Sequence, residues 1–103
     1  MSKTRTKRWN PASQLRSEGA MIAYLEAALH DGDPAVVTAA LGDIARAQGM
    51  TRVARRAGLG RESLYKALSP KGNPEFGTVL KVVEALGLEL HAAATRRRAA
   101  TDG

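Results

Sequence analysis

The chain has 103 residues and a mass of 10.9 kDa, room for one ordinary domain. Sixteen Lys and Arg against ten Asp and Glu give a formal net charge of +6, and 44% of residues are hydrophobic, enough for a core. Cysteine is absent and only His30 and His91 are present, which excludes disulfides, thiolate metal sites, a cysteine nucleophile and a multi-histidine zinc site.

No apolar run approaches the ~20 residues of a membrane span. The basic N-terminus lacks the apolar stretch and cleavage site of a secretory signal, so the expected compartment is the cytoplasm. A small basic domain of this kind points to a polyanionic partner, nucleic acid first, and not to a membrane. The charge sits at the ends. Lys3, Arg5, Lys7, Arg8 and Arg16 stand without an acid in residues 1–16, and Arg96, Arg97 and Arg98 outweigh Asp102 in the tail. Residues 17–95 balance to −1. The chain therefore divides into a basic flexible arm over 1–14, a folded domain over 15–94 and a basic flexible tail over 95–103. The arm and tail either touch phosphates or a minor groove, or are simply solvated. Trp9, at the edge of the arm, reads as a packing anchor or an incidental residue rather than a base-stacking one.

The folded part reads as five short helices. Ala20, Met21, Tyr24, Leu25, Ala28 and Leu29 recur at helical spacing between Ser17 and His30. Ser17 caps this first helix, Glu18 and His30 suit its two dipole ends, and Asp31-Gly32 stops it. Asp33-Pro34 starts a second helix, with Val37, Ala40, Leu41, Ile44 and Ala45 inward and an end at Gln48-Gly49. Thr51 is expected to cap a short third helix ending at Ala57-Gly58. A fourth runs from Gly60 or Arg61 to about Leu68, and Ser69 to Pro74 reads as a loop. The fifth runs from about Glu75 to Leu86, with Phe76, Val79, Leu80, Val83 and Leu86 at helical spacing. Gly87 ends it.

The segment Met50–Leu68, MTRVARRAGLGRESLYKAL, carries the most information. Gly58-Leu59-Gly60 is too short a link for two helices to do anything but cross steeply. Val53, Ala54 and Ala57 then face inward, with Leu64 and Ala67 or Leu68 opposite, while Gly58 takes a positive φ and Leu59 plugs the corner. Ala54, Gly58, Leu59 and Leu64 have helix-turn-helix spacing. In that motif the second helix enters the major groove with its N-terminal residues foremost. Arg61, Glu62, Ser63, Tyr65 and Lys66 are left outside. Arg61 can pair bidentately with guanine, Glu62 can accept from a cytosine amine, and Ser63 and Tyr65 can reach base edges or phosphates. Thr51, Arg52 and Lys66 suit phosphates. The plainer alternative is a solvated face with an Arg61–Tyr65 stack and a Glu62–Lys66 pair at i, i+4.

After the fifth helix, Leu88-Glu89-Leu90-His91-Ala92 alternates as a short strand does. A lone strand leaves its backbone unpaired, so this segment is expected to pair with a second copy, or with a partner, rather than pack as an extended tail on helix five. A two-fold dimer would set two recognition helices about 34 Å apart.

An enzyme is not expected. Ser63, Ser69, Glu62, Glu75 and Glu84 are scattered, no histidine lies near them in sequence, and Gly58-Leu59-Gly60 is too short for a dinucleotide fingerprint. No cofactor or metal is expected either.

From Tyr24 to Ala92 the chain resembles the addiction-module antidotes, small antitoxins related to HigA and the Cro/XRE-type repressors. The resemblance rests on YLEAAL (24–29), ALGDIARAQGMTRVARRAGL (40–59) and RESLYKALSPKGNPEFGTVLKVVEALGLEL (61–90). It implies an all-α, five-helix Cro/lambda-repressor-like helix-turn-helix domain with a short C-terminal strand. It further implies an antitoxin that binds double-stranded operator DNA as a homodimer and neutralises a RelE/HigB-type toxin encoded beside it. The arm and the Arg-rich tail are not expected to be part of the family resemblance. A stand-alone helix-turn-helix regulator, or a helical adaptor that binds only protein, is the alternative; exposed Arg52, Arg55, Arg56, Arg61 and Lys66 favour the DNA-binding reading.

Overall fold

The computed structural model describes residues 15–95. The expectations for the arm, Trp9 and the Arg-rich tail lie outside that span. Five α-helices occur in order: α1 (Glu18–Asp31), α2 (Pro34–Gln48), α3 (Met50–Ala57), α4 (Arg61–Ala67) and α5 (Phe76–Ala85). No helix among the described residues is long and apolar enough to cross a membrane.

Local chemistry sets the first two helices. Ser17 Oγ accepts from Ala20 N–H at 3.2 Å, and Asp33 Oδ1 accepts from Ala35 N–H at 2.9 Å just ahead of Pro34. Each satisfies a backbone donor that helical pairing leaves open. Thr51 does not cap α3. The helix starts two residues earlier than that cap would set it, at Met50, with Gly49 as an N-cap that has no side chain to offer, and Thr51 lies exposed in the first turn. The apolar side chain of Met50, only 5% exposed, is drawn into the core and carries the start of the helix with it.

Helix α3 is the hub and packs on α2, α4 and α5, while α1 packs on α2. The core gathers Leu41 and Ile44 from α2, Val53 and Ala54 from α3, Leu64 from α4, and Val82 and Val83 from α5. Every buried side chain among the described residues is apolar. Leu68 is buried just beyond α4. Gly42 of α2 makes room for that turn: a Cβ there would stand 3.1 Å from Leu68 O.

The inward stripe of α5 differs from the expected one. Val82 is fully buried beside Val83 and Leu86, whereas Phe76 is 66% exposed and Leu80 41% exposed. α3 packs against the side carrying Val82, Val83 and Leu86, and Leu80 falls outside that arc. Phe76 is the first residue of the helix and overhangs its end.

No strand forms in 88–92 within the described chain. The alternation has an intramolecular cause: Leu88 and Leu90 pack against the core while Glu89, His91 and Ala92 stay exposed. Gly87, at φ 80°, turns the chain. Its N–H reaches Glu84 O at 2.9 Å, and Leu88 N–H reaches Val83 O at 3.1 Å. This is a Schellman closure, and it delivers Leu88 back to the core.

Two side-chain ties lock α1. Gln48 Nε2 donates to Leu15 O at 3.3 Å and Arg16 O at 3.2 Å, fixing the chain just before α1 to the end of α2. Tyr24 Oη donates to Asp43 Oδ2 at 2.6 Å, and Arg46 Nη2 donates to Asp43 Oδ1 at 2.9 Å. The hydrogen bond to Asp43, then burial, raises the Tyr24 phenol above its ordinary value. A raised folded-state value means the tie holds fully below about pH 10 and is lost as pH climbs past the folded value. Tyr24→Phe is expected to cost about 0.5–1.5 kcal/mol at neutral pH, and the gap to the parent should narrow in alkali. Urea unfolding of both proteins across that range checks it.

Candidate nucleic-acid interface

The corner between α3 and α4 is closed by a second Schellman motif. Gly58 sits at φ 72°, its N–H reaches Arg55 O at 3.2 Å, and Leu59 N–H reaches Ala54 O at 2.9 Å. Two carbonyls at the end of α3 are thereby satisfied, and the left-handed glycine sends the chain off in a new direction. Leu59 tucks against the core, so the link cannot swing freely.

Helix α4, seven residues long, is held by its inner side. Leu64 is the buried residue within it. Arg61, Glu62, Ser63, Tyr65 and Lys66 are all exposed on the same helix. Thr51 and Arg52 are exposed on α3, as are Arg55 and Arg56 in its last turn. The Arg61 guanidinium lies over the Tyr65 ring, 5.2 Å from the centroid, with Nη2 donating to Tyr65 Oη at 3.4 Å. The stack at i, i+4 is therefore present, while Glu62 and Lys66 form no ion pair among the described residues. Both stay available to an outside partner.

Charge is sorted by element more sharply than by sequence block. Helices α3 and α4 carry Arg52, Arg55, Arg56, Arg61 and Lys66 against the single acid Glu62. Helices α1 and α2, with the cap Asp33, carry Glu18, Glu26, Asp31, Asp33 and Asp43, and Arg46 is the one Lys or Arg among them. The α3–α4 pair thus attracts anions and the α1–α2 pair cations.

The residues expected to pair in a dimer are placed differently. Leu88 and Leu90 are half-buried against their own core, and Glu89 Oε2 lies 2.8 Å from exposed His91 Nε2. Beyond Leu88 N–H, no backbone hydrogen bond engages residues 89–92 among the described residues. No group of three or more His, Asp or Glu among the described residues is arranged to hold a metal ion.

Two features of this surface have no contact assigned to them in the sequence reading, although it counts exposed Arg55 and Arg56 in favour of DNA. Arg55 and Arg56 join Arg52 on the exposed side of α3; their spacing from it at i+3 and i+4 is the signal that groups them. Gly72, in the loop after α4, lies so close to the helix end that a Cβ would stand 2.6 Å from Lys66 O. Nothing in the loop composition marks that approach.

A small domain, all-helical among the described residues, with a cationic helix pair α3–α4 and an acidic pair α1–α2, is the class of protein that this fold and surface define. The family described as "Probable addiction module antidote protein" matches residues 5–94. The chain belongs to that family. The match begins within the basic arm, so most of the arm is part of the family pattern, contrary to the expectation that the likeness starts near Tyr24. The chain is also 46% identical to a Haemophilus influenzae protein described as "Uncharacterized protein", over 90 residues that span 87% of this chain and 93% of the relative. No solved structure matches the chain.

Proposed function

We propose that the protein is the antitoxin of a toxin–antitoxin pair, that it neutralises a RelE/HigB-type toxin, and that as a homodimer it binds operator DNA through α4. It does no catalysis in this reading and works in the cytoplasm. Family membership supports the antidote role. The observation that carries DNA binding is the α3–α4 surface: two helices broken at a glycine corner, five exposed cations and one acid. A helix-turn-helix docks its second helix in the major groove. Arg61 then stands at the leading end of α4 for a guanine, with Glu62, Ser63 and Tyr65 behind it for base edges. Thr51, Arg52 and Lys66 flank it for phosphates.

The homodimer rests on residues 88–92. Beyond Leu88 N–H their backbone makes no hydrogen bond among the described residues, which leaves it open to pairing with the same segment of a second copy. Such a dimer would present two copies of α4 to successive major grooves.

The test is a gel-shift or fluorescence titration of the protein on its own promoter fragment. Log affinity should fall against log salt with a slope near −0.9 per phosphate contact. Arg61→Ala is expected to lose about 1–3 kcal/mol on the operator and much less on random DNA. Equal loss on both would move Arg61 to the phosphates. No shift on any promoter fragment would leave a protein-binding adaptor, and a monomer by light scattering would remove the dimer.

A further inference from the structure

Two hollows of about 330 Å³ each lie side by side: α1, α2, α5 and the 73–74 loop line one, α1 and residues 87–91 the other, and Leu90 reaches both. They share Leu25, Leu29 and Leu90, so they form one continuous trough. Its apolar surface is open to solvent: Ile22 is 42% exposed, Leu29 44% and Phe76 66%. Exposed large side chains on a small domain mean little singly, but a contiguous set marks an interaction surface. No residue of α3 or α4 lines the trough.

The rim tells which partner fits. Glu18, Glu26 and Glu89 stand along it, and no Lys or Arg lines it. His91 is already engaged by Glu89 at 2.8 Å. Two copies packed α1 to α1 across the trough would bring the Glu18 and Glu26 carboxylates of each together, and like charges at an interface are repelled. A cationic partner with apolar side chains meets no such penalty. Among the described residues, no other segment of the chain fills the space.

We infer that this trough is the docking surface for the toxin, which would seat an apolar, positively flanked segment against Ile22, Leu29 and Phe76. The inference rests on the antitoxin reading above and adds the face. A partner surface that carries Lys or Arg beside its apolar side chains is complementary to Glu18, Glu26 and Glu89 on the rim. The acidic trough complements that surface, while the cationic α3–α4 surface stays open to DNA. Antitoxin bound to toxin can therefore still hold its operator. Pairing of residues 88–92 between copies engages backbone groups and leaves the apolar side chains of α1 and α5 open.

The experiment uses the full chain and the purified product of the adjacent toxin gene, with affinity read by calorimetry. Glu26→Lys combined with Leu29→Lys is expected to weaken toxin binding about tenfold or more, since both changes oppose the proposed partner at its anchor. Both positions are exposed, so the fold should persist; circular dichroism and an unchanged operator affinity check this. Leu80→Lys, exposed on α5 but outside the trough, should leave toxin affinity within about twofold of the parent. Equal toxin affinity for the trough variant and the parent overturns the inference. So does an equal loss from Leu80→Lys, or a trough variant whose oligomeric mass drops while each chain still binds toxin as before, which would make the trough a contact between copies. A parent chain that leaves the toxin unbound removes the antitoxin reading itself, a different outcome from a trough variant that binds as well as the parent.

Discussion

Leu64→Ala should destabilise the domain by about 2–5 kcal/mol, the range for truncating a leucine in a packed core. Leu64 has no exposed surface. It is also the buried residue of α4 itself, with Leu68 buried just outside the helix. Helix α4 has seven residues, about half the length at which an isolated helix begins to hold in water. Gly60 before it supplies no side-chain cap. Tertiary packing through Leu64 is thus what keeps the helix formed, and the side chain reaches the shared core only because the 58–60 corner aims it there. In urea the midpoint should fall while the slope stays near that of the parent. If α4 binds the operator as proposed, operator affinity should fall too, although Leu64 is buried, because the ordering cost of α4 would then be met during binding. A midpoint unchanged by Leu64→Ala would mean that α4 is not held by this contact.

What the sequence made legible was local. Ser17, Asp33 and Pro34 act within three residues of themselves, so their capping roles needed no knowledge of the rest of the fold. The short helices α3 and α4 were readable for a related reason. With eight and seven residues each has only one apolar side, and Val53, Ala54, Ala57 and Leu64 had nowhere to point but inward. Helix α5 is the contrary case. Phe76, Val79, Leu80, Val82, Val83 and Leu86 cover too broad an arc for spacing alone to choose a stripe. The choice was made by α3, which is distant in sequence. The alternation in 88–92 was real as a pattern, yet it reports burial of every second residue, and the chain's own core satisfies that as well as a paired strand would. Three features were beyond reach because each joins remote segments: the tie from Gln48 to Leu15, the Tyr24–Asp43–Arg46 cluster, and the trough where Leu29, Phe76 and Leu90 converge.

The other end of α4 depends on a residue with no side chain at all. Gly72 folds back over the last turn of the helix, its N–H donating to Ser69 O at 2.8 Å, while Ser69 Oγ donates to Lys66 O at 2.9 Å. A Cβ on Gly72 would fall inside the contact envelope of Ala67 O and stand 2.6 Å from Lys66 O. Both obstacles are backbone, so no rotamer change can clear them. Either the 69–74 loop lifts or the end of α4 gives way. The φ of Gly72 is not in the left-handed region, which makes the constraint one of space rather than of torsion. Gly72→Ala should therefore cost about 1–3 kcal/mol or more, as overpacking does. Gly77, in the first turn of α5 with nothing near a Cβ, supplies the comparison. Gly77→Ala should stabilise by about 0.5–1 kcal/mol, since alanine gives up less backbone freedom in a helix. Thermal unfolding of the two variants side by side is the measurement, and the two shifts should have opposite signs. If Gly72→Ala melts with the parent, the loop does not press on α4, and Lys66 loses the backbone that sets it at the edge of the proposed DNA surface.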